Sequence, residues 1–164
     1  MLDLDRRLLA VMRERGHSRA AERVAAVYSR MGEHAACWLV VGAAGALLAR
    51  ESPTRRAWTS GFVATAFAYG LNYAVKLVVR RPRPPAACKP LTPVVSRHSF
   101  PSAHATTSFT AAGVYRRAAP TAAPVMYGAA GLFALTRPYL GVHYPSDVLA
   151  GAALGTLVAT VWPR

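Results

Sequence analysis

The 164-residue sequence is poor in acid and in sulfur. Seven Asp and Glu stand against 20 Lys and Arg, and after Glu51 the only acid is Asp147. That leaves no carboxylate cluster to hold Mg²⁺, so no metal and no cofactor are expected. The two cysteines, Cys37 in an apolar run and Cys88 in a loop, form no C-x-x-C pair for a metal or redox centre, and a disulfide between them is not the expectation. The start, Met1-Leu2-Asp3-Leu4-Asp5-Arg6-Arg7, lacks a positive stretch followed by an apolar core, so no cleaved signal peptide is expected. Repeats and low-complexity segments are missing as well. Long hydrophobic runs are scarce, since only residues 57–79 reach the ~20 residues of a comfortable membrane span.

Apolar residues and arginine are plentiful. Hydrophobic residues make up 53% of the chain and the formal charge is +13. With glycine counted and tyrosine left out the apolar share is about 56%, against ~45–50% in soluble domains. Such a chain has ample surface to bury, which excludes disorder. The basic residues lie in gaps between apolar runs and not on one continuous face, so no nucleic-acid partner is expected. At this length one domain is the natural count. The expected fold is all-α, an integral membrane helical bundle of about five spanning helices.

Residues 1–34 are expected to form amphipathic interfacial helices, and residues 35–164 the bundle. Leu4, Leu8, Val11 and Met12 recur at helical spacing, as do Val24, Val27, Tyr28 and Met31. Seven arginines between Arg6 and Arg30 are too many to bury, which suits two short helices in the headgroup region. Soluble helices packing on a partner are the alternative. Five apolar segments follow, at 35–49, 57–79, 104–115, 122–136 and 147–162. Four are short, but they are rich in Ala, Gly and Val, their flanks can extend them, and no polar face accompanies them. Gly42, Gly45, Gly151 and Gly155 permit close helix contact, expected within the chain.

Between the second and third segments runs a long loop, Arg80 to Ser102, with six prolines and five basic residues. Loops of this length in compact chains are usually functional. Three pieces at its ends and beyond carry chemistry. Lys76 lies about one turn inside an apolar segment, where it either snorkels or meets an anion, and Arg83 follows in a proline-stiffened stretch. Pro101-Ser102-Ala103-His104 reads as a helix start whose free N–H groups suit an anion, with a simple Ser cap as the plainer alternative. Thr136-Arg137 precedes His143 and Asp147, spaced so that the carboxylate reaches the imidazole and makes its far nitrogen a better nucleophile. A surface pair would have the same spacing.

Together the pieces resemble the type 2 phosphatidic acid phosphatase family, whose pattern is K-x6-R-P, then P-S-G-H, then S-R-x5-H-x3-D. Here these are Lys76-x6-Arg83-Pro84, Pro101-Ser102-Ala103-His104, and Thr136-Arg137-x5-His143-x3-Asp147, every internal spacing being met. Ala103 stands where the family has Gly, and Thr136 where it has Ser. Neither change removes a titrating or charged group. No family motif lies in the N-terminal third.

The resemblance implies a metal-independent membrane phosphatase working through a phosphohistidine. His143 would be the nucleophile, Asp147 its orienting group, and His104 the acid at the leaving group. Lys76, Arg83, Arg137, Ser102 and the backbone near Ala103 would hold the phosphate oxygens. It also implies a lipid phosphate as substrate, in the cell membrane. The short chain and Gly32-Glu33-His34 are similar to the branch acting on a polyprenyl-phosphate sugar phosphate of cell-wall arabinan synthesis, in which Glu33 or His34 would touch a sugar hydroxyl. A polyprenyl diphosphate, phosphatidic acid or phosphatidylglycerol phosphate are the alternative substrates. A vanadate haloperoxidase, which shares the oxyanion cage, and a catalytically silent scaffold are the other readings. With five spans, the loops bearing the site share a face with the N-terminus, and their excess of basic residues predicts a cytoplasmic orientation.

Overall fold

The computed structural model describes residues 2–85, 90–94 and 96–163. Cys88 lies outside the described residues, and Cys37 is a free thiol. Seven α-helices occur among the described residues: α1 Leu2–Glu14, α2 Arg19–Met31, α3 Ala36–Leu48, α4 Ser52–Val79, α5 Ala103–Tyr115, α6 Ala123–Tyr139 and α7 Pro145–Val161. The five apolar segments are α3 to α7.

The centre of the bundle is α5, buried along almost its whole length and packed by α4, α6 and α7. Its sequence, with four hydroxyl residues, gives almost no apolar asymmetry, because every side of it meets protein. The hydroxyls are satisfied within the helix layer. Thr106 and Thr110 donate to the carbonyls four residues back, at 3.0 and 2.9 Å, and Thr110 also to the Gly155 carbonyl at 3.1 Å. Gly151 and Gly155 let α7 lie directly on α5. A Cβ on Gly151 would sit 2.6 Å from the Ser102 carbonyl oxygen, so even alanine would push the two helices apart.

The other helices are apolar on the outside. On α4, Gly61, Ala64, Thr65, Ala68, Asn72 and Lys76 recur every three or four residues and face inward. Val63, Phe67, Tyr73 and Val78 face outward, as do Leu47 and Leu48 on α3, Leu132 and Leu135 on α6, and Leu149 and Leu157 on α7. Small and polar residues inside, with large apolar ones outside, is the reverse of a water-soluble bundle and fits a hydrocarbon surround. At 28 residues α4 extends ~42 Å, past the ~30 Å of a bilayer core. Among the described residues it alone is long and apolar enough to cross singly, and α2 with residues 33–48 forms a second such stretch, bent by 49°.

The bend falls at a short 3₁₀ turn, Glu33–Ala35, in which His34 (φ 53°) and Ala35 (φ 61°) take left-handed backbone that non-glycine residues rarely adopt. His34 Nδ1 lies 2.7 Å from the Tyr69 hydroxyl of α4, which helps fix the corner. The preceding α1 turns Leu4, Leu8 and Val11 outward and buries Asp5 and Leu9. The periodic stripe in the sequence is therefore the exposed face, and the inward face is one acid and one leucine a helical turn apart. Helix α1 packs on α6 and α7, and α2 packs on α6.

Candidate active site

Helices α3 to α7 run alternately, so the start of α3, the end of α4, the start of α5, the end of α6 and the start of α7 meet at one end of the bundle. A cavity of about 350 Å³ opens there, lined among others by Glu33, His34, Tyr69, Lys76, Arg83, Ala103, His104, Arg137 and His143. The three motif pieces come together at it. They are tied by backbone: the Ser102 N–H donates to the Asp147 carbonyl at 2.9 Å, linking the start of α5 to the start of α7.

Each cation is held by protein oxygens. Lys76, 4% exposed, donates to the carbonyls of His98 and Ser99 at 3.0 and 3.1 Å, so its ammonium is turned into the site and not toward the outer surface. Helix α4 stops just beyond it at Arg80, in left-handed backbone, ahead of Pro82 and Pro84. Pro82 bridges to His98, which draws the two ends of the long loop together. Arg83 donates from Nε to Ser96 O and from Nη1 to Val142 O, each at 2.6 Å. Burial lowers its pKa to about 10, with Asp147 acting against that, so it stays cationic at neutral pH. Arg137, on the last turn of α6, donates from Nη1 to the Ser29 hydroxyl and leaves a buried Nε without a partner.

The two histidines are differently placed. His143 is in the loop before α7. Its Nε2 faces Nη1 of Arg83 at 3.2 Å, and its Nδ1 lies 3.4 Å from Asp147 Oδ2, within ion-pair reach although not aligned as a hydrogen bond. Arginine can only donate, so this geometry leaves Nε2 with its lone pair and the proton on Nδ1, toward the carboxylate. Burial, then the surrounding Arg83, Arg137, Lys76 and His104, hold the His143 pKa well below its ordinary 6.5. A neutral imidazole with an unprotonated Nε2 at the cavity is the state a nucleophile requires. Asp147, fully buried, accepts from the Tyr144 N–H at 2.9 Å and from Arg81 Nη1 at 2.7 Å.

His104, in the first turn of α5, has its Nε2 2.9 Å from the Ser29 carbonyl. The carbonyl only accepts, so Nε2 carries a proton and Nδ1 is the nitrogen left for the reaction. The α2–α3 corner passes directly over this ring. A Cβ on Gly32 would come within 2.9 Å of both the His104 and Phe133 rings, so the corner approaches this closely only with glycine there.

Of the residues expected to touch phosphate, Ser102 is placed differently. It occupies the N-cap position of α5, but its hydroxyl makes no cap bond, is fully buried without a partner, and does not line the cavity. Ala103 lines it instead. Thr136 turns its hydroxyl back to Phe133 O at 2.7 Å, within its own helix. Ser29, Asn72, Arg81 and Asp5 are residues that the motif spacing does not indicate. Asn72 ties α4 to the α5 start through Pro101 O and Thr106 Oγ1, at 3.3 and 2.9 Å. The only advance signal was that Asn72 lies one turn before Lys76. No group of three His, Cys, Asp or Glu that could hold a metal occurs among the described residues.

The sequence profile of the PAP2 superfamily matches residues 57–164. The chain belongs to this superfamily and is a phosphoric monoester hydrolase. It is 40% identical over 136 residues to a protein of Mycobacterium tuberculosis (strain H37Rv) named decaprenylphosphoryl-5-phosphoribose phosphatase, covering 81% of this chain and 73% of that one. A protein of the same name from Mycolicibacterium smegmatis is 40% identical over 126 residues, 75% of this chain and 67% of that one. The fold is similar to that of a transmembrane PAP2 type phosphatidylglycerolphosphate phosphatase from Bacillus subtilis, with a TM-score of 0.76 at 22% identity, over 98% of this chain and 83% of that one. The outward apolar side chains of α3, α4, α6 and α7 and the long apolar α4 suit a membrane protein of this fold.

Proposed function

We propose that the protein removes the 5-phosphate from decaprenylphosphoryl-5-phosphoribose through a phosphohistidine on His143. The observation that carries the chemistry is His143 at the cavity, with Nε2 3.2 Å from Arg83 Nη1 and Nδ1 3.4 Å from Asp147 Oδ2. The substrate reading rests on the relatives at 40% identity. The Nε2 lone pair attacks phosphorus in line as the ester P–O bond breaks, and His104 Nδ1 gives its proton to the departing sugar oxygen. Water, giving a proton back to His104, then attacks the phosphohistidine and releases inorganic phosphate. Lys76, Arg83, Arg137 and the N–H groups at the start of α5 stabilise the charge on the equatorial oxygens by fixed position. A bound phosphate also supplies the negative charge that three neighbouring cations lack, which favours the protonated His104 the first step needs.

The N-terminus and the site share one face. The segments on that face carry 13 basic residues and those on the opposite face six, so the site is cytoplasmic by the positive-inside rule. A phosphoribosyl lipid made from a soluble sugar donor arises on that leaflet. The exposed stripes of α1 and α2, flanked by arginines, lie in its headgroup layer.

The test is phosphate release in detergent from a panel of decaprenylphosphoryl-5-phosphoribose, undecaprenyl diphosphate, phosphatidic acid and phosphatidylglycerol phosphate, with metal chelated, beside halide oxidation with vanadate. The highest kcat/KM on the phosphoribosyl lipid is expected. A preference for another lipid overturns the substrate, and no release from any overturns the phosphatase reading.

A further inference from the structure

A part-buried ion-pair network joins Asp147, beside His143, to α1, a helix that carries no motif residue. Arg81 lies at its centre, its guanidinium stacked 4.3 Å above the Tyr144 ring. One arm donates to Asp147 Oδ1 at 2.7 Å and to the Ser146 hydroxyl at 2.7 Å. The other arm donates to Asp5 Oδ2 at 2.8 Å. Asp5 in turn accepts the Ser146 N–H at 3.0 Å and the Ser146 hydroxyl. Asp5 is 5% exposed and is carried by α1, whose opposite face is Leu4, Leu8 and Val11. Burial raises the Asp5 carboxyl pKa, but the bonds from Ser146 and Arg81 outweigh it and hold it below 3.8.

We infer that Asp5 is a positioning residue for the phosphoryl transfer, acting through Arg81 and Ser146 on Asp147 and through Asp147 on His143. This rests on the phosphohistidine reading of His143. Asp147 has to face two ways, toward the His143 imidazole with one oxygen and toward Arg81 with the other. An arginine paired with Asp147 alone would draw that carboxylate off the imidazole and cancel its charge. Asp5 supplies the second carboxylate, so that Arg81 is balanced between two acids and Asp147 keeps negative charge for the imidazolium-like phosphohistidine. The two N–H···O and O–H···O bonds from Ser146 fix Asp5 to the first turn of α7, the turn that carries Asp147. Helix α1 thus completes the site from outside the motif region, and a helix seated by its apolar stripe in the lipid surface takes part in the geometry of the nucleophile.

The charged and titratable groups facing this network are Asp5 from α1, Arg81 from the loop, Tyr144 before α7 and Asp147 from α7. Those facing His143 are Asp147, Arg83, Lys76, Arg137 and His104. Asp5→Asn keeps an acceptor for the Ser146 N–H but removes the balancing charge. Full-length Asp5→Asn in detergent should lose about 10- to 100-fold in kcat with KM within about twofold, because the phosphate cage is untouched. Its acid limb of kcat should move to lower pH, since net positive charge beside Asp147 makes His143 harder to protonate and less basic. Asp5→Glu should recover part of the rate. If Asp5→Asn misfolds, Ser146→Ala, which removes the hydroxyl's bond to Asp5 and its bond from Arg81 but leaves both ion pairs, gives the same signature in smaller measure. Wild-type kcat and pH profile in Asp5→Asn, with His143→Ala inactive, overturn this inference alone. An active His143→Ala overturns the reading on which it rests. A loss confined to the yield of folded protein, with kcat and pH profile unmoved, assigns Asp5 to folding only and also overturns it.

Discussion

Residues 76–147 and residues 2–31 serve the same cavity by different means, the first lining it and the second standing behind that lining. The first stretch supplies side chains that line the cavity: Lys76, Arg83, His104, Arg137 and His143. The second supplies what those groups lean on, the Ser29 carbonyl behind His104, the Ser29 hydroxyl behind Arg137 and Asp5 behind Arg81. Reacting groups must be of a given chemical type at a given spacing, so they leave a motif. Supporting groups need only present an oxygen at the right place, and a backbone carbonyl of any residue does that. A helix pair can therefore be part of a site and carry no recognisable pattern.

The comparison breaks most visibly at His104. His104→Ala should lose about 10²- to 10³-fold on the sugar phosphate, yet recover much of that with p-nitrophenyl phosphate, whose leaving group needs little protonation. Equal losses on both substrates would contradict the assignment of His104 to the leaving group. Ser29→Ala sharpens the contrast with a smaller effect. It removes the hydroxyl that holds Arg137 but keeps the carbonyl that holds His104, so KM should rise about tenfold, the worth of a hydrogen bond to a charged group, while kcat stays within about threefold. A fall in kcat with KM unchanged would show that α2 acts through His104 instead.

Smaller still is the effect of pH on stability. Folded His143 has its pKa well below 6.5 because it is buried among cations. The unfolded chain binds a proton at about 6.5 that the folded chain refuses, so stability should fall as pH drops below 6.5. Thermal melts in detergent at pH 7.5 and 5.5 should show a loss that is smaller in His143→Gln. An equal loss in both proteins would mean that His143 is not held neutral.

Much of this molecule was legible in the chain. The five apolar segments became five helices, and the gaps between Lys76, Arg83, His104, Arg137, His143 and Asp147 brought those residues to one end of the bundle. Helical spacing also found α1 and α2, but the stripe of Leu4, Leu8 and Val11 marks the face turned outward. In a membrane protein periodicity locates two faces without saying which is inside, and Asp5, the residue that matters inside, is one acid among many arginines. Ser102 was legible as the start of α5 and not as buried behind the wall. Helix caps follow from local sequence, whereas the direction of a short hydroxyl depends on tertiary packing, here α7 lying on the Ser102 backbone at Gly151.

The central claim is that His143 carries the phosphoryl group, and rapid quench with substrate labelled in the terminal phosphate tests it directly. Wild-type protein should trap label that survives base and is lost in acid, mapping to the peptide containing His143. His143→Ala should trap none and turn over at least ~10³-fold more slowly, about 4 kcal/mol of lost barrier lowering. Label on another residue, or substantial turnover by His143→Ala, would contradict the account.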